Sequence, residues 1–189
     1  MNRPDLCAEM HAACEQVSSL HLRRLRSLGV SWETIGSLGA AHLGLGVVQA
    51  VEHPSEKGLY CLDADGPPMI CLPVYDSGDL IDLVAFRSSD PDNWLLRTGL
   101  GWCLGLERGL EAHTWGDPVH LARTPLEWIQ GGAEGLALLD WSAPEVHYLT
   151  GVPHLVCSDA TQAGMLRKAL SRPVRFPTIS IQQEARLAA

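Results

Sequence analysis

The stretch CSDATQAGMLRKAL, residues 157–170, joins a short apolar run to an amphipathic segment at Asp159. The run predicts a β-strand and the segment after it predicts an α-helix, so Asp159 lies at the carboxyl end of the strand. A carboxylate there can hold Mg²⁺, which proteins normally bind through one or two carboxylates plus substrate phosphates. Thr161 stands where a second acid is expected. The alternative is that Asp159 caps the helix by accepting backbone N–H bonds.

Other strand ends in the same part of the chain carry residues that could join this site. Three apolar segments predict strands: PVHLAR, GLALLD and PHLVCSD, near residues 119–123, 136–140 and 154–158. Helical segments follow them after short connections, and this alternation predicts a parallel sheet covered by helices. Ligands of such sheets bind beyond the carboxyl ends of the strands. We therefore expect Arg123, Thr124, Asp140 and Asp159 to lie along one edge.

Several of these residues also allow a structural explanation. Thr124 precedes Pro125, which is typical of a helix N-cap followed by proline at the first helical position.

Arg123, Arg167 and Lys168 are candidates for contacts with phosphate groups, since charged donors bind phosphate strongly. The alternative for Arg167 and Lys168 is a solvated helix face.

Two further motifs resemble metal sites only in part. Cys7, His11 and Cys14 share one face of a predicted helix, but no fourth ligand has a suggestive spacing, so we expect a buried face of small residues. Asp63 and Asp65 resemble the start of a calcium loop, but the later ligands of such a loop are absent, so we expect a turn.

The rest of the chain divides into regions of different texture. Apolar spacing predicts one helix over residues 5–28, and Ser31 is expected to cap a second helix, WETIGSL. Short β-type runs between Val47 and Arg97 predict a small antiparallel sheet, with a type I turn at DSGD. PVRFPTISI predicts a last strand. These patterns predict three regions along the chain: a helical segment (1–45), an antiparallel β subdomain (46–108) and an α/β lobe (117–181), with the boundary at 109–118.

The composition of the chain limits the classes of protein to which it can belong. The chain has 189 residues, of which 46% are apolar and 19% charged, which is typical of a globular protein. Its net charge of −8 argues against coating nucleic acid through bulk electrostatics. The six cysteines form no CxxC motif and no signal peptide is recognisable, so we expect a reducing cytoplasm and no membrane span.

The motifs together are similar to a known family. DATQAG followed by MLRKAL resembles the Toprim motif Asp-x-Asp-x-Ala-Gly, with its following helix, of bacterial DNA primases and topoisomerases. PVHLARTPLEWIQGGAEGLALLDW resembles the Toprim strand that carries a catalytic glutamate, its helix and the next strand. MICLPVYDSGDLIDLVAFR and LLRTGLGWCLGLE resemble primase segments, and the matches are collinear over residues 69–170. The resemblance implies an α/β fold in which N-terminal helices and a small antiparallel sheet precede a Toprim-like parallel-sheet lobe.

The sequence departs from this family at the residues that hold its metal. The family's glutamate falls on Thr124 and its second aspartate on Thr161, so only the first aspartate is kept, as Asp159. Toprim enzymes use these acids to hold Mg²⁺ against phosphate, and threonine hydroxyls bring no negative charge. Asp140 is a further acid that could contribute from the neighbouring strand. The resemblance therefore implies a vestigial centre at these four residues, with Asp159 as a weak candidate metal ligand.

The expected function follows from the resemblance and its departures. We expect a primase-related protein of replication or mobile-element type, such as a phage or plasmid protein, that associates with nucleic acid or nucleotides without efficient catalysis. Single-stranded DNA or a replication protein is the expected partner. No cofactor is expected, and Mg²⁺ is the ion to test. One alternative is a protein-interaction module that binds neither metal nor phosphate. Another is a divergent enzyme that uses Asp140 and Asp159 for one Mg²⁺.

Overall fold

The computed structural model describes residues 4–40, 44–114 and 116–173. In chain order these residues form α1 (Leu6–Glu15), α2 (Ser19–Ser27), α3 (Trp32–Ala40), β1 (Gly46–Glu52), β2 (Tyr60–Leu62), β3 (Pro68–Asp76), β4 (Asp79–Arg87), β5 (Asp90–Leu96), β6 (Cys103–Leu104), α4 (Leu106–Thr114), β7 (Val119–Ala122), α5 (Pro125–Gln130), β8 (Leu136–Leu138), a 3₁₀ helix (Pro144–Gly151), β9 (Leu155–Cys157) and α6 (Ala160–Leu170). The α/β class predicted from the sequence is confirmed. The predicted strand PVRFPTISI lies outside the described residues.

The N-terminal region contains one more helix than the sequence predicts. The single helix predicted over 5–28 is wrong, because α1 and α2 are separate helices on either side of residues 16–18. Ser18 begins α2 with a capping box, in which its Oγ accepts from the His21 N–H and the His21 ring accepts from the Ser18 N–H. The helical spacing of apolar residues continues across Ser18, so it does not reveal the break between α1 and α2. Ser31 caps α3 as predicted, since its Oγ accepts from the Thr34 N–H at 2.9 Å.

The first sheet is antiparallel and has the strand order β2-β1-β3-β4-β5. It curls, because Leu96 at the end of β5 donates its N–H to the Gly58 carbonyl oxygen and Leu59 bridges Leu96 just before β2 begins. The sequence DSGD also predicts a positive φ at Gly78, which is confirmed, but the predicted type I turn between β3 and β4 is wrong. Ser77 and Gly78 both have positive φ, 52° and 85°, as in a type I′ turn, whose twist matches the flanking strands.

A buried aspartate in β4 holds the loop that leaves this sheet. Asp82 is 0% exposed. Its two carboxylate oxygens accept five backbone N–H bonds at 2.8–3.0 Å, from Leu83, Arg97, Thr98, Leu100 and Gly101. A buried charge is tolerated when its lone pairs are satisfied in this way. The loop then runs from the antiparallel sheet into β6.

The second sheet is mixed and has the strand order β6-β8-β7-β9. The predicted parallel pairing of the strands near 119–123, 136–140 and 154–158 is confirmed, since β7 pairs in parallel with both β8 and β9. The sheet as a whole is mixed, because β6, which lies before the predicted lobe, joins β8 in the antiparallel direction. The segment predicted as a helix before β9 is a 3₁₀ helix.

The two sheets share a hydrophobic core. One cluster of buried side chains contains Phe86 of the first sheet, Ala137 of the second, and Trp128 and Ile129 of α5 between them. A second cluster lies on the other face of β7 and β8, under α6 and the 3₁₀ helix, and a third lies between α1 and the first sheet. Residues 109–114, which the sequence marks as the start of a boundary, belong to helix α4.

Candidate functional site

The carboxyl ends of β7, β8 and β9 lie along one edge of the second sheet, because the three strands are parallel. β7 is the central strand of the three, so the residues that follow it, Arg123 and Thr124, have a strand end on each side. Asp140 follows β8 on one side, and Asp159 follows β9 on the other. The structure therefore places these four residues at the predicted edge, in two separate hydrogen-bond networks.

Thr124 serves as the N-cap of α5. Its side chain is 5% exposed, and its Oγ1 accepts from the Glu127 N–H at 3.0 Å. Pro125 occupies the first helical position, where a missing N–H costs nothing. The structural explanation of Thr124 is confirmed, and its oxygen already has a donor.

Asp159 serves as the N-cap of α6. Its exposed carboxylate accepts the Gln162 N–H on Oδ1 at 2.8 Å, and Oδ2 lies 3.5 Å from the Arg123 Nη1. The capping role predicted as the alternative for Asp159 is thus present. The guanidinium of Arg123 supplies the positive charge that the carboxylate faces.

Arg123 joins Asp159 to a second carboxylate, Glu127 of α5. The Arg123 side chain donates through Nε and Nη2 to Glu127 Oε1 at 2.9 and 2.7 Å, and its backbone N–H donates to Oε2 at 2.9 Å. These bonds and the Glu127 charge raise the pKa of Arg123 above its ordinary value. Burial by itself would raise the pKa of Glu127, but the hydrogen bonds from Arg123 outweigh it and lower that pKa.

Sequence reasoning missed Glu127, although a signal was present. The spacing Thr124-x-x-Glu127 is a capping-box pattern, and Arg123 lies four residues before Glu127, just ahead of the N-cap. The structure brings Glu127 and Asp159 to one guanidinium.

Asp140 belongs to a different network. Its Oδ1 accepts the Ser142 N–H at 2.7 Å and the Ser142 hydroxyl at 2.6 Å, which makes a local turn. The next residue, Trp141, is half-buried against the second core cluster, and its carbonyl oxygen accepts from Arg172 at 3.0 Å. Within the described residues, no hydrogen bond links Asp140 with Asp159. The structure therefore gives no support to a shared two-aspartate centre.

The remaining candidates lie on α6. Thr161 is exposed, and its hydroxyl has no hydrogen bond within the described residues. Arg167 and Lys168 are exposed in the last turn, where cations suit the helix dipole. That turn begins roughly 12 Å along the helix axis from Asp159. The charge of Arg167 nevertheless acts on Cys157, the last residue of β9, where it opposes the rise in the pKa of the Cys157 thiol that burial causes.

A buried glutamine on α6 was also missed. Gln162 is 3% exposed, and its Oε1 accepts from the backbone N–H and hydroxyl of Ser158 at 2.7 and 3.0 Å. Its Nε2 has no hydrogen-bond partner within the described part of the chain. Nothing in the sequence signals this burial, since glutamine on a helix is usually solvated.

The donor set at these strand ends does not suit Mg²⁺. The ion needs oxygens that carry negative charge. The carboxylate of Glu127 is engaged by Arg123, Thr124 Oγ1 is neutral and engaged, and Thr161 adds only a hydroxyl. Both oxygens of Asp159 face donors of the chain itself. Across residues 4–40, 44–114 and 116–173, no group of three or more His, Cys, Asp or Glu side chains is arranged to hold a metal ion.

The two motifs that resemble metal sites only in part make local contacts instead. Cys7 and Cys14 are exposed free thiols, so the buried face of small residues predicted for them is wrong, and His11 Nε2 lies 3.6 Å from Glu15 instead. The predicted turn at Asp63 is confirmed, because its carboxylate accepts the Asp65 N–H at 3.0 Å. All six cysteines are free, and burial raises the pKa of Cys71 to about 12.

Comparison of the chain with protein-family models, with curated proteins and with solved structures finds no match. Within the described residues, no helix combines the length and apolar character that crossing a membrane requires.

Proposed function

We propose that the chain is a primase-related, Toprim-like protein of replication or mobile-element type whose metal centre is degenerate, and that it associates with nucleic acid without polymerising it. The observation that carries this proposal is the Arg123 contact. A guanidinium lies between Glu127 and Asp159 at the strand ends, where an active Toprim centre needs a metal cation. Unlike Mg²⁺, a guanidinium has no coordination positions for water molecules or for substrate phosphate oxygens.

The arrangement of elements supports the same proposal. The parallel strands β7, β8 and β9 occur in the order that the Toprim-like motifs predict along the chain. The positions of the family's glutamate and second aspartate, Thr124 and Thr161, do not provide charged ligands. Asp159 alone is a poor site for a divalent ion, and it already caps α6.

Primer synthesis and DNA binding test the two halves of the proposal. On a single-stranded DNA template with millimolar Mg²⁺ and nucleoside triphosphates, we expect no primer. By fluorescence anisotropy we expect the protein to bind a labelled oligonucleotide, with an affinity that falls as salt rises because bound counterions are released. Template-dependent synthesis that disappears in Asp159→Ala would overturn the degenerate centre.

Thermal melts add a measurement that does not depend on activity. A protein that binds Mg²⁺ in its folded state melts at a higher temperature when the ion is added. We expect equal melting temperatures with and without millimolar Mg²⁺ for the wild type and for Asp159→Ala. A rise confined to the wild type contradicts the proposal.

The alternative, a protein-interaction module, is favoured by a separate observation. Several large apolar side chains are more than half exposed: Leu20, Trp32, Leu100 and Tyr148. A module of this kind binds neither metal nor phosphate, so failure to bind DNA at low salt would favour it over the first proposal.

A further inference from the structure

Most arginine side chains in the described part of the chain have partners within the protein. Arg97 and Arg123 bond carboxylates, and others bond hydroxyl or carbonyl oxygens: Arg24, Arg26 and Arg172. The side chains that form no hydrogen bond or ion pair within the residues that the structure describes are those of Arg23, Lys57, Arg87, Arg167 and Lys168. Lys57 and Arg87 are distinguished from the others by their position. Both are exposed, and both line the same cavity.

This cavity lies at one end of the curled antiparallel sheet, where β1 and β4 end and β3 and β5 begin. Its volume is about 440 Å³, which is within the range of small-ligand sites. Met69 and Leu95 contribute apolar surface, and Asn93 contributes an amide. We call it the sheet-end cleft. It is separate from the residues at the carboxyl ends of β7 and β9.

The carboxylates in the sheet-end cleft do not neutralise its cations. Both oxygens of Asp90 accept from the Asn93 amide, at 3.0 and 2.9 Å. Glu52 accepts the Gly58 N–H at 3.5 Å. The acids therefore face uncharged donors, and the positive charges of Lys57 and Arg87 remain available to an anion from outside. The same acids oppose anions by Coulomb repulsion, so binding should be weak and sensitive to salt.

We propose that the sheet-end cleft binds backbone phosphate of single-stranded nucleic acid, with Arg87 and Lys57 as the phosphate ligands. Arginine presents a planar fork that matches two phosphate oxygens, and lysine adds a mobile point charge. The partly exposed apolar side chain of Leu95 provides a contact for the attached sugar or base. The identity of the ligand rests on the proposed function, whereas the site rests on the cleft itself.

The test is anisotropy of a labelled oligothymidylate between 50 and 200 mM salt. Each lost single-strand phosphate contact should reduce the slope of log affinity against log salt by about 0.7. Relative to 1 M salt, such a contact is worth about eightfold in affinity at 50 mM. We therefore expect Arg87→Gln and Lys57→Gln each to weaken binding by about this factor, and Arg87→Lys to restore part of it.

Arg23→Gln is the matched control, because Arg23 is an exposed cation on α2 that does not line the cleft. We expect it to bind like the wild type, and circular dichroism checks that all variants are folded. Wild-type binding that persists unchanged in Arg87→Gln and Lys57→Gln overturns the cleft and leaves the proposed function standing.

Inorganic phosphate and thymidine monophosphate form a second arm, followed by NMR shifts of the Asn93 and Leu95 amides. Shifts there, together with oligonucleotide binding lost in the variants, support the proposal. Phosphate binding by a protein that does not bind the oligonucleotide overturns nucleic acid as the ligand, and with it the proposed function. Absence of both kinds of binding overturns the site as well.

Discussion

Asp82 in the first sheet and Asp159 beside the second accept backbone N–H groups in very different surroundings. Asp82 is fully buried and receives five such bonds. Asp159 is exposed, receives one, and faces Arg123 across 3.5 Å. Both act as acceptors for the chain, but only Asp82 is without access to solvent. The difference indicates that Asp82 contributes more to the stability of the fold than Asp159 does.

The largest effect is expected for Asp82→Ala. The substitution leaves five N–H groups of a buried loop without their acceptor, and each unsatisfied buried group costs about 1–3 kcal/mol before the loop relaxes. Breaking a buried charged interaction typically costs about 3–5 kcal/mol, and we expect a loss of unfolding free energy in that range. Urea denaturation followed by circular dichroism measures it.

Asp79→Ala is the control, because Asp79 begins the same strand and is exposed. It should change stability by no more than about 0.5 kcal/mol. If Asp82→Ala unfolds at the urea concentration of the control, the contrast between the two aspartates is wrong. Should Asp82→Ala fail to fold, Asp82→Asn, which keeps one acceptor oxygen, provides the comparison.

A smaller effect is expected for Asp159→Ala. Loss of a helix N-cap costs roughly 0.5–2 kcal/mol, and the exposed setting favours the lower part of that range. Asp159→Asn keeps an acceptor for the Gln162 N–H and should lose less. The same urea experiment measures both variants. Equal losses in Ala and Asn would mean that the charge facing Arg123, rather than the cap, carries the contribution.

The two aspartates also differ in how far the sequence could predict them. Asp159 follows an apolar run and precedes a helix, so its place at a strand end and its capping role could be read locally. The donors of Asp82 lie as far as 19 residues along the chain, and their convergence depends on how the loop folds back onto β4. The spacing of apolar residues along the sequence does not predict such a contact.

The same distinction, between local sequence patterns and contacts of distant residues, explains which other predictions were correct. The parallel pairing of β7 with β8 and β9 follows from alternating strands and helices. The antiparallel β6 has only two residues, so it leaves no pattern in the sequence. The break between α1 and α2 depends on the capping box at Ser18, which apolar spacing passes over. At the candidate site, Thr124 could be predicted from Pro125, whereas the burial of Gln162 comes from packing alone.

The smallest effect concerns Glu127, whose pKa is lowered because the hydrogen bonds from Arg123 outweigh the effect of burial. A carboxyl group with a lowered pKa stabilises the folded state above its unfolded pKa, near 4.3, and this contribution is lost as pH falls through the folded pKa. We expect Glu127→Gln to cost at most about 1 kcal/mol at pH 7, because the pair is partly exposed. The difference from wild type should stay constant down to about pH 5 and shrink towards zero at lower pH.

Urea denaturation at a series of pH values measures this difference in unfolding free energy. Glu134→Gln is the control, because it removes a nearby exposed carboxylate that has no ion pair in the described residues. A difference that persists or grows in acid would show that the carboxylate charge of Glu127 does not hold Arg123 in place.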